Sequence, residues 1–395
     1  MEVSCDHPRL PVELLRKVFE YTQPDNKSIA RLMQTNRQIF LCGLPYLWNN
    51  IRIGSPNQAR LLSRALFHNP SLRHHVTSIS FCYDPYYELA RKDAVNINFQ
   101  NDTREYEEKD AVEILPLLSR LKELAIMAAP PWEYRSDIDR FLRLFQSRLQ
   151  TGKHPGGDKL SLHPYHLPSL ERCRFRYTFE PTVGWGLGDL TLFLNHPTVK
   201  ALTLDHCYAD ISENDPRLQN PLGISSKSDL TELYLIACET TASTLRQILR
   251  IPRTLTHLDF TFWHHNEKIS TGPCDGEEED FHDFEWDEFN AKAFYRAIEQ
   301  HAGTLQHLRV LGLHTLDIQD DWHPNFQAYA SLKSLETSPS CLSLFNDLKS
   351  TSEPSDHLEY DWSSMLPLSL NRMTLLPNTS AGCIAYGGDP YNQYV

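Results

Sequence analysis

The chain has 395 residues, 41% hydrophobic and 23% charged, an ordinary globular balance with length for one to three domains and a sizeable core. A net charge of -13 argues against a general nucleic-acid binder, which needs a basic face to displace phosphate counterions, and against attraction to anionic lipid, although a net charge is an average and leaves room for a local basic patch. The nine cysteines are odd in number and widely spaced, with no C-x-x-C pair, so the usual zinc and redox spacings are missing.

Reduced thiols in a cytoplasmic or nuclear protein is the expectation that follows. The start, MEVSCDHPRL, lacks the basic-then-apolar order of a secretion signal, and no apolar run is long enough to span a bilayer. The glycosylation patterns at Asn101 and Asn378 carry no meaning in an intracellular chain.

The first helix is predicted from Pro11, which suits a first helical turn, to Tyr21. Leu14, Leu15, Val18 and Phe19 recur at helical period, and Pro24 ends the run. Ser28 or Asn26 can cap a second helix carrying Ile29, Leu32 and Met33 at i, i+3, i+4 spacing. A third holds Ile39, Phe40 and Leu44, and Pro45 is expected to start a last turn with Leu47, Trp48 and Ile51. These helices carry more apolar surface than one small bundle can hide, and burying one Leu or Phe is worth about 1.5–3 kcal/mol. Either the rest of the chain covers them or another protein does.

The stretch LPVELLRKVFEYT…SIARLMQTNRQIF…LPYLWNNI resembles an F-box. Leu10, Pro11, Glu13, Leu14, Leu15, Phe19, Tyr21, Leu32, Arg37, Leu47, Trp48 and Ile51 match the family's pattern in order. Ser28 and Asn36 depart from it, and neither removes an apolar anchor. The resemblance implies a partner, the Skp adaptor of a cullin-based SCF ubiquitin ligase. It implies adaptor contacts at Leu10, Pro11, Leu14, Leu15, Ile29 and Leu32, with Trp48 packed in the domain's own core and junction. The bland alternative is an N-terminal cap of a larger domain.

Beyond residue 55 the pattern L-x-x-L-x-L, the strand of a leucine-rich repeat, recurs nine times. It starts at Val76, Leu121, Leu170, Val199, Leu230, Leu255, Leu305, Leu332 and Leu370, at spacings from 25 to 50 residues. Cys207, Cys238 and Asn378 fall where such a repeat uses Asn or Cys to bond neighbouring backbone. Amphipathic helical candidates lie between strands at 57–69, 110–120, 136–150, 241–251 and 287–303. Strand alternating with helix means parallel strands with right-handed crossovers. The expected fold class is α/β: a helical F-box over 1–54, then an irregular leucine-rich-repeat solenoid over 55–395 with an acidic insertion at 271–290.

That insertion contains DGEEEDFHDFEWDE, nine carboxylates without Lys or Arg, interleaved with aromatics. It reads as a solvated loop, or as a docking strip for a basic partner in which Glu278, Glu279, Asp280, Phe281, Phe284 and Trp286 are the candidate partner-binding residues. Its carboxylates lack the ordered spacing of a calcium loop. GWGLGD at 184–189 lacks phosphate-loop spacing, and the pairs His74–His75 and His264–His265 have poor metal geometry on strands. No catalytic set, metal site or cofactor is singled out. A recruiting subunit would hold an unknown protein substrate on its repeats and act by proximity, not as an enzyme. The competing readings are an interaction scaffold outside ubiquitin transfer and an enzyme with a pocket on its α/β domain.

Overall fold

The computed structural model describes residues 11–22, 26–82, 113–127, 143–145, 167–176, 192–205, 228–238, 240–262, 291–312, 324–342 and 365–376. Leu10, Cys207, Asn378, the acidic stretch 275–288 and the Gly- and Tyr-rich end of the chain lie outside the described residues. Two compact units result: residues 1–125 with 136–170, and residues 126–135 with 171–395.

The first unit opens with three helices, α1 (Val12–Thr22), α2 (Asn26–Met33) and α3 (Arg37–Asn49). Asn36 caps α3, its side chain accepting the Gln38 amide at 2.7 Å, which gives a local reason for Asn at that position. Pro45 does not begin a separate turn: α3 runs through it as one helix. Proline inside a helix forfeits one i→i−4 bond and costs about 3 kcal/mol. The partly buried Leu44, Tyr46 and Leu47 around it, packed on the bundle core, offset that cost. Ile51 belongs to a strand that the sequence pattern did not reveal, β1 (Asn50–Ile53), followed by α4 (Pro56–His68) with Ser55 as its cap. β1 pairs in parallel with β2 (Ser78–Phe81), Ile51 opposite Ile79. β3 (Glu123–Ile126) follows, and the Lys122 and Glu123 amides donate to the Thr77 carbonyl.

The second unit holds strands β4 (Arg172–Arg176), β5 (Ala201–Asp205), β6 (Glu232–Cys238), β7 (His257–Phe262), β8 (His307–Leu311), β9 (Ser334–Thr337) and β10 (Arg372–Leu375). Each pairs in parallel with the next in chain order. Helices α5 (Ala242–Leu249) and α6 (Ala291–Ile298) occupy two of the connections. All nine repeat-pattern stretches therefore carry strands β2–β10, a parallel α/β arrangement compatible with a repeat solenoid.

The alternation of the pattern explains the packing. One residue in two points inward. Leu202, Leu204, Leu233, Leu235, Leu258, Phe260, Leu308 and Val310 are all at most 2% exposed. Phe294 of α6 lies 4.9 Å from Phe260, ring to ring, and Tyr295 meets Phe326 edge-on at 5.3 Å. His301 is buried after α6, and its Nε2–H donates to the Leu249 carbonyl at 2.7 Å, satisfying an acceptor that the end of α5 leaves open. Cys238 is buried at the end of β6, its Sγ 3.4 Å from the Leu204 carbonyl, the backbone contact expected of that repeat position.

Gly312 follows β8 at φ 80°, where a Cβ would collide with the Phe262 carbonyl oxygen. Gly312→Ala should therefore lower stability by at least about 1 kcal/mol. Leu308→Ala, which empties a site packed at 2% exposure, should cost about 2–5 kcal/mol. Urea unfolding followed by circular dichroism checks both; an unchanged midpoint for Leu308→Ala would contradict the packing described.

Candidate functional site

Two surfaces, one in each unit, present side chains that the local fold leaves outward.

In the first unit, Phe19, Ile29, Met33 and Cys42 form the bundle core, with Val12, Leu15, Ile39, Leu44, Tyr46 and Leu47 packed against it. Phe19 stacks on Tyr46 at 5.3 Å, and the Tyr46 hydroxyl lies 3.2 Å from both the Arg16 carbonyl and the Glu20 carboxylate. Helix α1 thus spends one apolar stripe, Val12, Leu15 and Phe19, on this core. A second stripe faces away. Leu14, Val18 and Tyr21 sit at i, i+4 and i+7 and are 48%, 51% and 87% exposed. Leu32 of α2 and Phe40 and Leu41 of α3 are also exposed.

The six candidate adaptor contacts divide accordingly. Pro11, Leu14 and Leu32 are exposed, and Leu15 is half-buried against the core. Ile29 is 3% exposed and belongs to the bundle interior, so it is not a surface group. The i, i+3, i+4 stripe of α2 splits for a geometric reason. At 100° per residue, Met33 lies near Ile29 while Leu32 stands about 100° from Met33, on the flank α3 does not cover. Val18, exposed among these groups, is a surface residue that is not one of the six candidate contacts. Trp48 is half-buried in the last turn of α3.

In the second unit, the outward strand positions carry polar and charged groups in register. One row runs Arg174, Thr203, Tyr234, Asp259, Arg309 and Glu336 across β4–β9. Arg309 Nη1 donates to Asp259 Oδ2 at 3.1 Å, its Nε lies 3.7 Å from Glu336, and Arg372 reaches Glu336 at 3.6 Å. Burial pushes the Asp259 carboxyl up against the opposing pull of Arg309. Tyr234 donates to Glu232 at 3.1 Å, and burial followed by that carboxylate pushes its phenol up to about 12. His257 and His307 stack at 4.2 Å.

At the β4 end the ion pairs are looser. Arg174 Nη2 and Arg176 Nε share one carboxylate oxygen, Oδ2 of Asp205, at 3.8 and 3.4 Å. The strand sequence RCRFR puts Arg172, Arg174 and Arg176 on one side at alternate positions, with Cys173 and Phe175 buried between them. The clustered arginines were present in the sequence, but only the strand assignment shows that they share a face. The acidic residues Glu278, Glu279 and Asp280, with Phe281, Phe284 and Trp286, lie outside the described residues. Among the described residues no group of three or more His, Cys, Asp or Glu could hold a metal ion, and no helix is long and apolar enough to cross a membrane.

Burial, then His257 and Lys333, lowers the His307 pKa below its ordinary 6.5. Such a histidine binds protons less readily folded than unfolded, so its contribution to stability is complete above 6.5 and is lost as pH falls through its lowered folded value. The urea midpoint of the wild-type chain should therefore drop more between pH 7 and pH 5 than that of His307→Phe. Parallel pH dependences for the two proteins would show that the stacked pair does not contribute.

No protein-family model and no curated protein matches this sequence. Among solved structures, the crystal structure of the Rad7 and Elc1 complex in yeast is similar over 84% of this chain and 68% of that chain, at 13% identity and a TM-score of 0.37. At that TM-score the likeness carries no argument.

Proposed function

We propose that this chain is an F-box-type substrate receptor of a cullin-based SCF ubiquitin ligase. Its N-terminal helices bind the Skp adaptor, and its parallel strands, read as irregular leucine-rich repeats, hold a target protein. The observation that carries the reading is the second apolar stripe of α1. Leu14, Val18 and Tyr21 stay exposed after the bundle has formed its core from Val12, Leu15 and Phe19. A helix with apolar residues on two faces and one face packed asks for a partner on the other. The sequence resemblance names that partner as the adaptor.

The receptor's contribution to ubiquitin transfer is placement. Holding a target beside a charged enzyme raises effective concentration and needs no acid–base group. Its place of work is the cytoplasm, the nucleus or both.

Leu14→Asp combined with Val18→Asp should weaken adaptor capture at least ~100-fold, because it places two charges in an apolar interface. Both positions are exposed, so helix content should stay unchanged. Ile29→Asp should instead unfold the bundle. Purified adaptor, a pull-down and circular dichroism on the same samples check this. Undiminished capture by the folded double variant defeats the docking reading.

A further inference from the structure

From residue 26 to residue 83 the sequence contains seven Lys or Arg and no Asp or Glu, in a chain of 51 acids and net charge -13. Helix α4 lies within that stretch. Its inward side is Ala59, Leu62 and Leu66, each at most 7% exposed. At 100° per residue, Phe67, Arg60, Arg64, Asn57, His68 and Leu61 follow one another round the opposite side, within an arc of about 120°. All six are exposed, Phe67 by 69% and Leu61 by 61%. The two arginines therefore lie between the two large apolar groups. Arg60 Nη2 donates to Asn57 Oδ1 at 3.3 Å, and Phe67 lies 5.8 Å from His68, ring to ring. Among the described residues neither Arg60 nor Arg64 is in an ion pair, whereas Arg174, Arg309 and Arg372 on the sheet each are.

We propose that the outward face of α4 binds an acidic segment of a partner protein, one that carries apolar or aromatic side chains among its carboxylates. The face shares no residue with either surface described above. Charge complementarity decides the class of partner. Guanidinium forks at i and i+4 offer paired bonds to carboxylates one helical turn apart. Phe67 and Leu61 supply the apolar area that arginines alone do not, and arginine beside an exposed aromatic is the composition of an interface hot spot.

An anionic lipid surface fits the face less well. A helix lying in such a surface sinks an apolar stripe and keeps its cations at the edges. Here the order is reversed, so seating Phe67 and Leu61 among acyl chains would carry Arg60 and Arg64 under with them. Duplex nucleic acid asks for a row of cations tracking its phosphates, and the face offers two arginines. An acidic protein segment brings carboxylates at side-chain spacing with apolar groups between them, which meets both features of the face.

The test uses the purified full-length chain and three fluorescent peptide libraries: Asp and Glu mixed with Leu and Phe, Asp and Glu mixed with Ser, and Lys and Arg mixed with Leu and Phe. The first should bind at least about tenfold more tightly than either of the others, and added salt should weaken it. Arg60→Glu with Arg64→Glu should lose at least about tenfold, as should Leu61→Ser with Phe67→Ser. Both pairs are exposed, so circular dichroism should not change. Arg60→Lys with Arg64→Lys should keep part of the binding, and Arg246→Ser, exposed on α5, should change nothing. Equal binding of the three libraries by the wild-type chain overturns the proposal without reference to any variant, as does full affinity in the folded double glutamate variant. Tighter binding to vesicles of equal parts phosphatidylcholine and phosphatidylserine, or to duplex DNA, assigns the face to lipid or nucleic acid and overturns it too. Adaptor capture on the same preparations should be unaffected by the α4 variants; its loss would make the adaptor the occupant and overturn a separate partner.

Discussion

One contact recurs at the start of every strand of the larger unit. The carbonyl one residue ahead of a strand accepts two amides from the next repeat, the one ahead of its strand and the first within it. Glu171, Lys200, Thr231, Thr256, Gln306 and Lys333 each play this part, at 2.7–3.1 Å. Threonine hydroxyls reinforce it, Thr231 donating to Lys200 and Thr256 to Thr231. The bifurcated carbonyl sets where each strand begins, and a one-residue slip would turn its leucines outward. Register, apolar layer and polar face all follow from it.

The same contact explains how repeats of such unequal length coexist. Strands start 25 to 50 residues apart in the second half of the chain, yet successive units meet through identical backbone geometry. Doubling the length of a connection costs only about 0.6 kcal/mol in closure entropy. A strand whose two inward residues are fully buried recovers several times that. Insertions are therefore tolerated between strands and would not be tolerated within them.

The two outward surfaces differ in the physics that holds them ready. The stripe on α1 is apolar and exposed, so whatever it contributes comes from area removed from water. The face of β4–β10 is a lattice of charges in which most groups already hold one another: Asp259, Arg309, Glu336 and Arg372 form a chain of opposite signs. The more open pairs of Glu336 with Arg309 and Arg372 are each worth about 0–1 kcal/mol, so they order the surface more than they stabilise the fold. At the β4 end the contacts lengthen, Arg174 and Arg176 lying 3.8 and 3.4 Å from Asp205.

Much of the architecture was legible in the residues. Period-two leucines with cysteine or asparagine at the turn located strands β2–β10, because inward and outward alternation is a property of the strand itself. Strand β1 escaped: Asn50–Ile53 is short, carries only two apolar residues and follows directly on a helix, so its pairing with Ser78–Phe81 reveals it and its composition does not. The continuity of α3 through Pro45 escaped for the converse reason, since the local penalty is visible in sequence and the compensating packing of its neighbours is not.

What the sequence determined by itself is the set of residues that must leave water: the apolar stripes, their spacing, and the conflict of a helix with two of them. Tertiary structure alone decided which stripe was used. Ile29 went inward and Leu32 outward because of where α3 packs, and Leu15 and Phe19 were chosen over Leu14 and Val18 in the same way. It also decided which arginines share a carboxylate. Partnership across strands depends on register between segments tens of residues apart, and no local pattern encodes that distance.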